Sequence, residues 1–431
     1  MTQSRLQATL RAFRHRNYRI FFSGQLVSLT GTWMQSVAQS WLVYRLTGSA
    51  TLLGIVGFAS QFPVFLLAPV GGVVADGYPR RHALIATQTA AMLLSFPLAA
   101  LTLANRIQVW HVVVFATLLG VVSAFDIPIR QAFIVEMVGR DDLMNAIALN
   151  SSMMNGARIV GPAIAGVLVA AVGEGWCFLF NGVSFIAVIV GLVMMTAGNR
   201  TPGEHRGPKI GAIIEGFRFV LRARPIRALL ILLGLVSVTG MPYMVLMPIF
   251  ADQILKGGAK GLGLLMGSSG IGALAGALLL AGRQGVRGLG TWVMLSCGGF
   301  GVSLILFAFS RNFWMSTLLL LPAGFSMMVQ MASSNTLIQS MVPDQLRGRV
   351  MAVYSMMFMG ISPIGALLAG LFAHSLGAPL TVAAGGVICI AGALVFRSHL
   401  PGIRTEGRQL IRAQTMANGG PADTGPTDVT S

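Results

Sequence analysis

The chain has 431 residues, of which 55% are hydrophobic and only 10% are charged, and its mean hydropathy is +0.75. This composition excludes an ordinary soluble domain and a disordered chain, and it predicts an integral membrane protein. The net charge of +17 would favour nucleic acid binding in a soluble protein, but here the lipid bilayer is the expected partner and nucleic acid is not.

Apolar runs of about twenty residues, the length that crosses the hydrocarbon core, predict twelve transmembrane helices and an all-α fold. In the first half of the chain the predicted spans are 20–45, 50–74, 82–104, 109–133, 145–171 and 175–196. In the second half they are 227–250, 261–282, 289–309, 313–338, 349–373 and 379–397. The connections inside each half are short, so neighbouring helices should be antiparallel.

Four regions follow from these spans: an N-terminal six-helix half over 1–196, a linker over 197–226, a C-terminal six-helix half over 227–400 and a tail over 401–431. The linker carries apolar residues at helical spacing, which predicts an amphipathic helix on the membrane surface. The tail becomes small, polar and rich in glycine and proline, so we expect it to be mostly disordered.

Basic residues lie mainly on one side of the predicted membrane, in the N-terminal tail, alternate short loops, the linker and the C-terminal tail. The other side carries Arg45, Arg106, Lys256, Lys260 and Arg311. The positive-inside rule therefore places both termini and the linker in the cytoplasm. The first apolar run lacks the short core and cleavage site of a signal peptide, so it should be retained as the first helix.

Two predicted helices, the first and the tenth, are too polar to face lipid on all sides. We expect them to line a central cavity and to contact a small-molecule substrate through Gln25, Trp33, Gln35, Gln39, Gln330 and Asn335.

Charged residues inside predicted spans are costly and mark candidate functional sites. Asp126 and Arg130 lie four residues apart on the fourth helix, with Pro128 between them, and this spacing allows an ion pair. The pair is either a static structural contact or a proton-linked gate, and protons are the expected coupling ion.

Arg158 is the other basic residue deep in a predicted span. It either faces a water-filled cavity, where it would recognise acidic groups, or binds Asn155 and backbone carbonyls. The sequence favours the cavity slightly.

The link after the second helix carries Asp76, Arg80 and Arg81. These residues form either an ordinary basic turn or a gate, in which Asp76 pairs with a buried arginine when the cytoplasmic side is shut. We expect Arg130 to be that partner.

Two segments break the rules for helix interiors in the same way, because each carries glycines at five-residue spacing and one proline. The second segment follows the first by 204 residues, and the expected hinge residues are Gly156, Gly161, Pro162, Gly166, Gly360, Gly365 and Gly370. Such glycines permit close helix packing, either as a static contact or as a pivot. The repeat favours the pivot, since many transporters are built from two similar halves.

Catalytic chemistry is not expected. The sequence contains no zinc-protease, phosphate-loop or paired-cysteine motif, and its three cysteines fall in apolar runs typical of core residues. We therefore predict no enzyme activity, no cofactor and no metal site.

The segment from Gly72 to Arg81 resembles the signature between the second and third helices of the major facilitator superfamily. It departs from the usual form at Gly77, where a basic residue is common, and at Pro79, where a glycine is common. The segment from Gly156 to Gly166 resembles the fifth-helix motif of the exporters in that superfamily. The stretches Arg16–Arg19 and Asp126–Gln131 resemble the subgroup that contains bacterial siderophore exporters of the enterobactin type.

This resemblance implies two pseudo-symmetric six-helix halves that work by alternating access. It implies export of a small amphiphilic compound, siderophore-like or drug-like, by a monomer in the bacterial inner membrane. The alternatives are a nutrient importer of the same fold and a membrane receptor or assembly factor that does not transport.

Overall fold

The computed structural model describes residues 11–139, 141–195, 210–283 and 285–417. The described residues form helices joined by short turns and contain no strand. The predicted all-α fold is therefore confirmed.

Six long helices form the N-terminal half, preceded by a short 3-10 turn at Arg11–Arg14. They are α1 Arg16–Thr47, α2 Ala50–Gly77, α3 Arg80–Leu103, α4 Val109–Val138, α5 Leu143–Val172 and α6 Glu174–Met194. The observed bounds lie within a few residues of the predicted spans because turn residues end the helices. Gly48, for example, caps α1 with φ +60°, a conformation that glycine adopts easily.

The amphipathic helix α7 Ile210–Arg222 lies in the linker before the C-terminal half, where the sequence predicts one. The remaining helices are α8 Arg224–Thr239, α9 Tyr243–Ile249, α10 Gly258–Ala281, α11 Leu289–Phe309, α12 Phe313–Met341, α13 Asp344–Ser355, α14 Ser362–Leu376 and α15 Ala378–Ala417. A π-helical turn at Phe250–Ile254 follows α9, and another at Met356–Gly360 separates α13 from α14.

The last helix is longer than predicted. The sequence predicts a span that ends near 397 and a tail over 401–431 that is mostly disordered, but α15 continues to Ala417. The reason is packing, since Ile403, Leu410 and Ile411 contact the hydrophobic core of this half. Residues 418–431 lie outside the described part of the chain.

Eleven segments are long and apolar enough to cross a membrane, counting α8 with α9 and α13 with α14 as single spans. Helix α1 is long enough to cross a membrane, with 32 residues, but its polar side chains make it less apolar than these eleven segments. It nevertheless contacts both α5 and α6: the Tyr18 hydroxyl donates to the carbonyl of Ala146 near the beginning of α5 at 3.0 Å, and Arg45 pairs with Glu174 at the beginning of α6 at 2.7 Å. The count of twelve spans thus depends on α1 and stays a prediction.

Candidate functional site

The two halves meet through glycines at one end of the bundle. A Cβ added to Gly166 of α5 would lie 2.9 Å from the carbonyl oxygen of Ala259 and 3.0 Å from Cα of Gly263 on α10. A Cβ added to Gly370 of α14 would lie 2.7 Å from the carbonyl oxygen of Ala50 and 2.9 Å from Cα of Gly54 on α2. Only glycine permits backbones to approach this closely.

The two contacts are equivalent by the internal repeat. Gly370 follows Gly166 by 204 residues, and Gly263 follows Gly54 by 209. The reciprocal contacts match as well: a Cβ at Gly263 would meet the carbonyl oxygen of Pro162 at 2.5 Å, and a Cβ at Gly54 would meet that of Ala366 at 2.7 Å. The predicted pseudo-symmetric halves are therefore present in the structure.

A hydrogen bond between side chains joins the halves at the same end. The Tyr44 hydroxyl, near the end of α1, donates to Oδ2 of Asp252 at 2.8 Å. Asp252 lies in the π-helical turn after α9, and such turns are frequent at functional positions. We call this end of the bundle, with the two glycine contacts and the Tyr44–Asp252 bond, the closed end.

The opposite end is open between the halves. Burial increases along one face of α5, whose residues lie three or four positions apart. Ser151 is exposed, Arg158 is half-buried, and Pro162 and Gly166 are buried. A Cβ added at Gly156 would meet no atom within 4 Å. Residues 204 positions later follow the same trend, from exposed Ser355 to buried Gly370. These two helix faces are thus accessible from the open end as far as half-buried Arg158, and we call the space between the halves over this length the central cavity.

Arg158 lies at the inner limit of this cavity, between the two halves. Its guanidinium carbon is 5.7 Å from the centre of the Trp33 ring on α1, and Nη2 is 3.9 Å from the sulfur of Met244 on α9. Asn155 instead donates to the carbonyl of Ser151 at 2.9 Å. Among the described residues no carboxylate lies within ion-pair distance of Arg158. An unpaired cation beside an aromatic ring and a thioether suits a ligand with an acidic group on an apolar body.

Asp126 and Arg130 form the predicted ion pair, with 3.6 Å between Oδ2 and Nε. Asp126 also accepts hydrogen bonds from Thr87 at 2.9 Å and from Gln88 at 2.7 Å, both on α3. Arg130 donates to Oε1 of Gln25 at 3.1 Å. Through these contacts the network connects α1, α3 and α4.

Gln35 and Gln39 are predicted cavity residues, but the structure buries both side chains. Gln35 accepts hydrogen bonds from Asn181 at 2.7 Å and Ser95 at 3.2 Å, so it ties α1 to α6 and α3 inside the N-terminal half. Gln25 is likewise buried, at 1% exposed, and its side-chain oxygen accepts the hydrogen bond from Arg130. The polar side chains of α1 thus form contacts inside the N-terminal half more than they line the cavity.

On α12, Gln330 is 1% exposed, and its amide nitrogen has no hydrogen-bond partner among the described residues. The hydroxyls of Ser333 and Ser334 are also buried and have no hydrogen-bond partner among the described residues. Asn335 is only half-buried and accepts a hydrogen bond from Gln339 at 2.7 Å. Gln330 therefore lies inside the C-terminal half in this state, while Asn335 remains accessible.

The predicted gate residues Arg80 and Arg81 bind different helices. Arg80 pairs with Glu136 at the end of α4, with 3.0 Å between Nη1 and Oε1. Arg81 donates to the carbonyls of Leu192 and Val193 at the end of α6. The side chain of Asp76 lies outside the described part of the structure, so its pairing with Arg130 stays a prediction.

The expected hinge glycines do not all behave alike. A Cβ at Gly161 would lie 2.5 Å from Cβ of Trp33, and one at Gly365 would lie 2.5 Å from the carbonyl oxygen of Val238. A Cβ at Gly360 would collide with the ring of Phe65. A Cβ at Gly156 would meet no atom within 4 Å, so the close packing expected of these glycines is not formed at this position, and the hinge role of the set stays a prediction.

Sequence reasoning missed four residues of the interface between the halves: Tyr44, Gly54, Asp252 and Gly263. A signal for the glycines exists, because a shift of 209 residues aligns Ala50, Leu53 and Gly54 with Ala259, Leu262 and Gly263. The shift of 204 that relates the hinge segments does not align them. Tyr44 and Asp252 carry no local signal.

Three of the known proteins that this chain resembles are a transporter, an exporter and an efflux pump. The staphyloferrin A transporter of Staphylococcus aureus (strain NCTC 8325 / PS 47) is 28% identical over 381 residues, which cover 88% of this chain and 95% of that protein. The enterobactin exporter EntS of Shigella boydii serotype 4 (strain Sb227) is 24% identical and covers 85% of this chain and 86% of its own. The multidrug efflux pump Tap of Mycolicibacterium fortuitum is 27% identical, with 82% and 88% covered.

Among solved structures, the nucleoside transporter NupG matches with a TM-score of 0.70 at 12% identity, covering 89% of this chain and 99% of that one. At this identity the likeness concerns the fold alone. The family described as transmembrane secretion effector matches residues 7–427. With two pseudo-symmetric halves, a cavity between them and this match over nearly its full length, the chain belongs to the transmembrane secretion effector family of major facilitator transporters.

Proposed function

We propose that this protein exports a small amphiphilic compound with an acidic group, siderophore-like or drug-like, by alternating access. The observation that carries the proposal is Arg158, a cation without a carboxylate partner at the inner limit of the open cavity. A charge at this depth is costly unless a ligand or water compensates it. An acidic substrate bound there would supply the missing anion.

The names of the relatives favour export: two transport or export siderophores and one is a multidrug efflux pump. A nutrient importer of the same fold would use the same cavity in the other direction. A receptor or assembly factor without transport would not need an unpaired cation at a site that opens to one side.

The orientation follows from the distribution of basic residues. With both termini in the cytoplasm of a bacterial inner membrane, the open end faces the cytoplasm and is ready to load substrate, and a monomer suffices for this cycle. Labelling of a cysteine at position 205 by an impermeant reagent outside intact cells would contradict this orientation.

The cytoplasmic gate is expected to form when this end shuts, through Asp76 and Arg130. In the present state Arg130 is held by Gln25 and Asp126. If Asp76→Asn leaves the labelling of cavity cysteines by a cytoplasmic thiol reagent unchanged, Asp76 is not part of a gate.

The substrate proposal is tested by efflux from cells that produce Arg158→Gln. A hydrogen bond to a charged group contributes about 1.5–3 kcal/mol, so efflux of anionic siderophores should fall at least tenfold, whereas efflux of cationic dyes should not. Arg106→Gln, which changes an exposed arginine at the closed end, is the matched control. Full efflux of every anionic compound by Arg158→Gln would exclude Arg158 from substrate recognition.

A further inference from the structure

A groove on the outer surface of the N-terminal half lies apart from the central cavity. It has a volume of about 470 Å³ and lies between the beginning of α1 and the end of α6. Its lining residues are Arg19, Ile20, Ser23, Gly24, Ala187, Val190, Gly191 and Met194. This volume falls within the range of about 300–1,000 Å³ that holds small ligands.

The groove is apolar and faces the hydrocarbon region. The side chains of Val190 and Met194 are 49% and 57% exposed, as expected for residues in contact with lipid. Glycine shapes its floor, because a Cβ at Gly191 would lie 3.1 Å from Cγ2 of Ile20 and a Cβ at Gly24 would lie 3.3 Å from Cα of Val188. An acyl chain is a suitable occupant for such a surface at this depth.

Arg19 lines the groove at the open end of the bundle, and two further arginines lie near it in the sequence or through their hydrogen bonds. Arg16 and Arg19 are exposed and lie three residues apart on α1, which places them on one face of the helix. Arg81 binds the carbonyls at the end of α6, next to Met194. Their positions correspond to the headgroup region, where α1 begins and α6 ends.

Asp142 and Glu136, two acids at the same end of the N-terminal half, already pair with other arginines. Asp142 pairs with Arg11 at 2.9 Å and with Arg14 at 2.6 Å, and Glu136 pairs with Arg80. Among the described residues, neither Arg16 nor Arg19 forms an ion pair with a carboxylate. The mouth of the groove therefore carries uncompensated positive charge.

We propose that this groove binds an anionic phospholipid, with one acyl chain between α1 and α6 and the phosphate at Arg16 and Arg19. Arginine matches phosphate because its planar guanidinium donates two parallel hydrogen bonds. Basic pockets between helices at the membrane surface are suited to anionic headgroups. A zwitterionic lipid would fill the groove equally well but would gain less from the two arginines.

The test is native mass spectrometry of the purified, delipidated protein with equal amounts of palmitoyl-oleoyl phosphatidylglycerol and phosphatidylcholine. Wild type should retain phosphatidylglycerol in preference, with about a fivefold contribution from each arginine. The double variant Arg16→Gln/Arg19→Gln should lose this preference. Arg311→Gln, which changes an exposed arginine at the closed end, should keep it.

A second variant tests the apolar part of the site. Gly191→Leu should reduce retention of both lipids by filling the groove, whereas Gly402→Leu, at a position with no atom within 4 Å, should not. Equal retention of both lipids by wild type would overturn the proposal, as would a preference that survives in the double variant or disappears in Arg311→Gln. No substrate is added, so the result does not depend on the transport proposal.

Discussion

At the scale of single residues, the described charged side chains that are candidates for function differ in how many partners hold them. Asp126, Arg130 and Asp142 are held by several partners each, whereas Arg158 has an aromatic ring and a sulfur as neighbours. The first three fix helices within a half. In the proposed function, Arg158 binds the acidic group of a substrate that enters from the open end.

Asp126 is the residue at which proton coupling is tested. We propose that protonation of Asp126 weakens its contacts with Arg130, Thr87 and Gln88 and releases Arg130 toward the cytoplasmic end, so that a proton is coupled to gate closure. Asp126→Asn should therefore retain substrate binding but lose uphill transport in proteoliposomes driven by a pH difference alone. Asp141→Asn, an exposed acid, is the control. If Asp126→Asn still concentrates substrate, the Asp126–Arg130 pair is a static contact.

Asp142 anchors the N-terminal turn. Its hydrogen bond with His15, together with the guanidiniums of Arg14 and Arg11, holds the pKa of Asp142 below its ordinary value of 3.8. A lowered pKa means that the stabilisation is fully present above about pH 3.8 and is lost only as the pH falls through the lower, folded-state value. Protonation of Asp142 should therefore not release the turn between pH 7 and pH 5.

Removing the negative charge of Asp142 should release the N-terminal turn at any pH between 7 and 5. Ala12 in this turn is 0% exposed, so a cysteine at position 12 should react slowly with a maleimide in the parent protein and quickly in Asp142→Asn. Asp141→Asn should leave the slow rate unchanged. A slow rate in Asp142→Asn would show that Asp142 does not anchor the turn.

At the scale of helices, α5 illustrates how glycine position decides the effect of a substitution. Gly161 packs against Trp33 and the carbonyl of Thr30 on α1, whereas Gly156 has open space. Gly161→Ala should destabilise the protein by about 1–3 kcal/mol through overpacking. Gly156→Ala should be neutral or slightly stabilising, because alanine favours the helix by about 1 kcal/mol.

Thermal unfolding of the two purified variants measures this difference, and transport assays extend it to function. Gly161→Leu should abolish transport because α5 cannot keep its close contact with α1. Equal stability of the two alanine variants, or normal transport by Gly161→Leu, would show that the glycine motif has no mechanical role.

At the scale of the whole molecule, the state of the protein depends on contacts that exist only at the closed end. Tyr44 and Asp252 form one of these contacts across the halves. Tyr44→Phe removes the donor, which should weaken closure by about 1–2 kcal/mol and shift the balance toward the state open at the other end by about five- to thirtyfold. Tyr78→Phe is the control, since Tyr78 is 66% exposed.

Distances between spin labels placed on the two halves at the closed end would measure this shift. Asp252→Ala should have the same effect as Tyr44→Phe, and the double variant should add nothing further, because both changes remove one hydrogen bond. Additive effects would mean that the two residues stabilise closure separately.

Local patterns in the sequence determined much of this architecture. Apolar run length indicates the spans, helical spacing predicts the pair Asp126–Arg130 and the amphipathic helix α7, and the repeat at 204 residues indicates two similar halves. These features can be predicted from the sequence because each depends on residues close along the chain or on a fixed internal offset.

Only the tertiary structure decided which polar residues are used inside a half and which remain available. Gln35 accepts a hydrogen bond from Asn181, which lies 146 residues away. Arg158, in contrast, has no carboxylate partner among the described residues, because the helices around it place an aromatic ring and a sulfur beside its guanidinium. The closed end likewise depends on Gly54 meeting Gly370 and on Tyr44 meeting Asp252. Composition and periodicity describe one helix at a time, but these contacts form between helices that are distant along the chain, so their partners are set by packing.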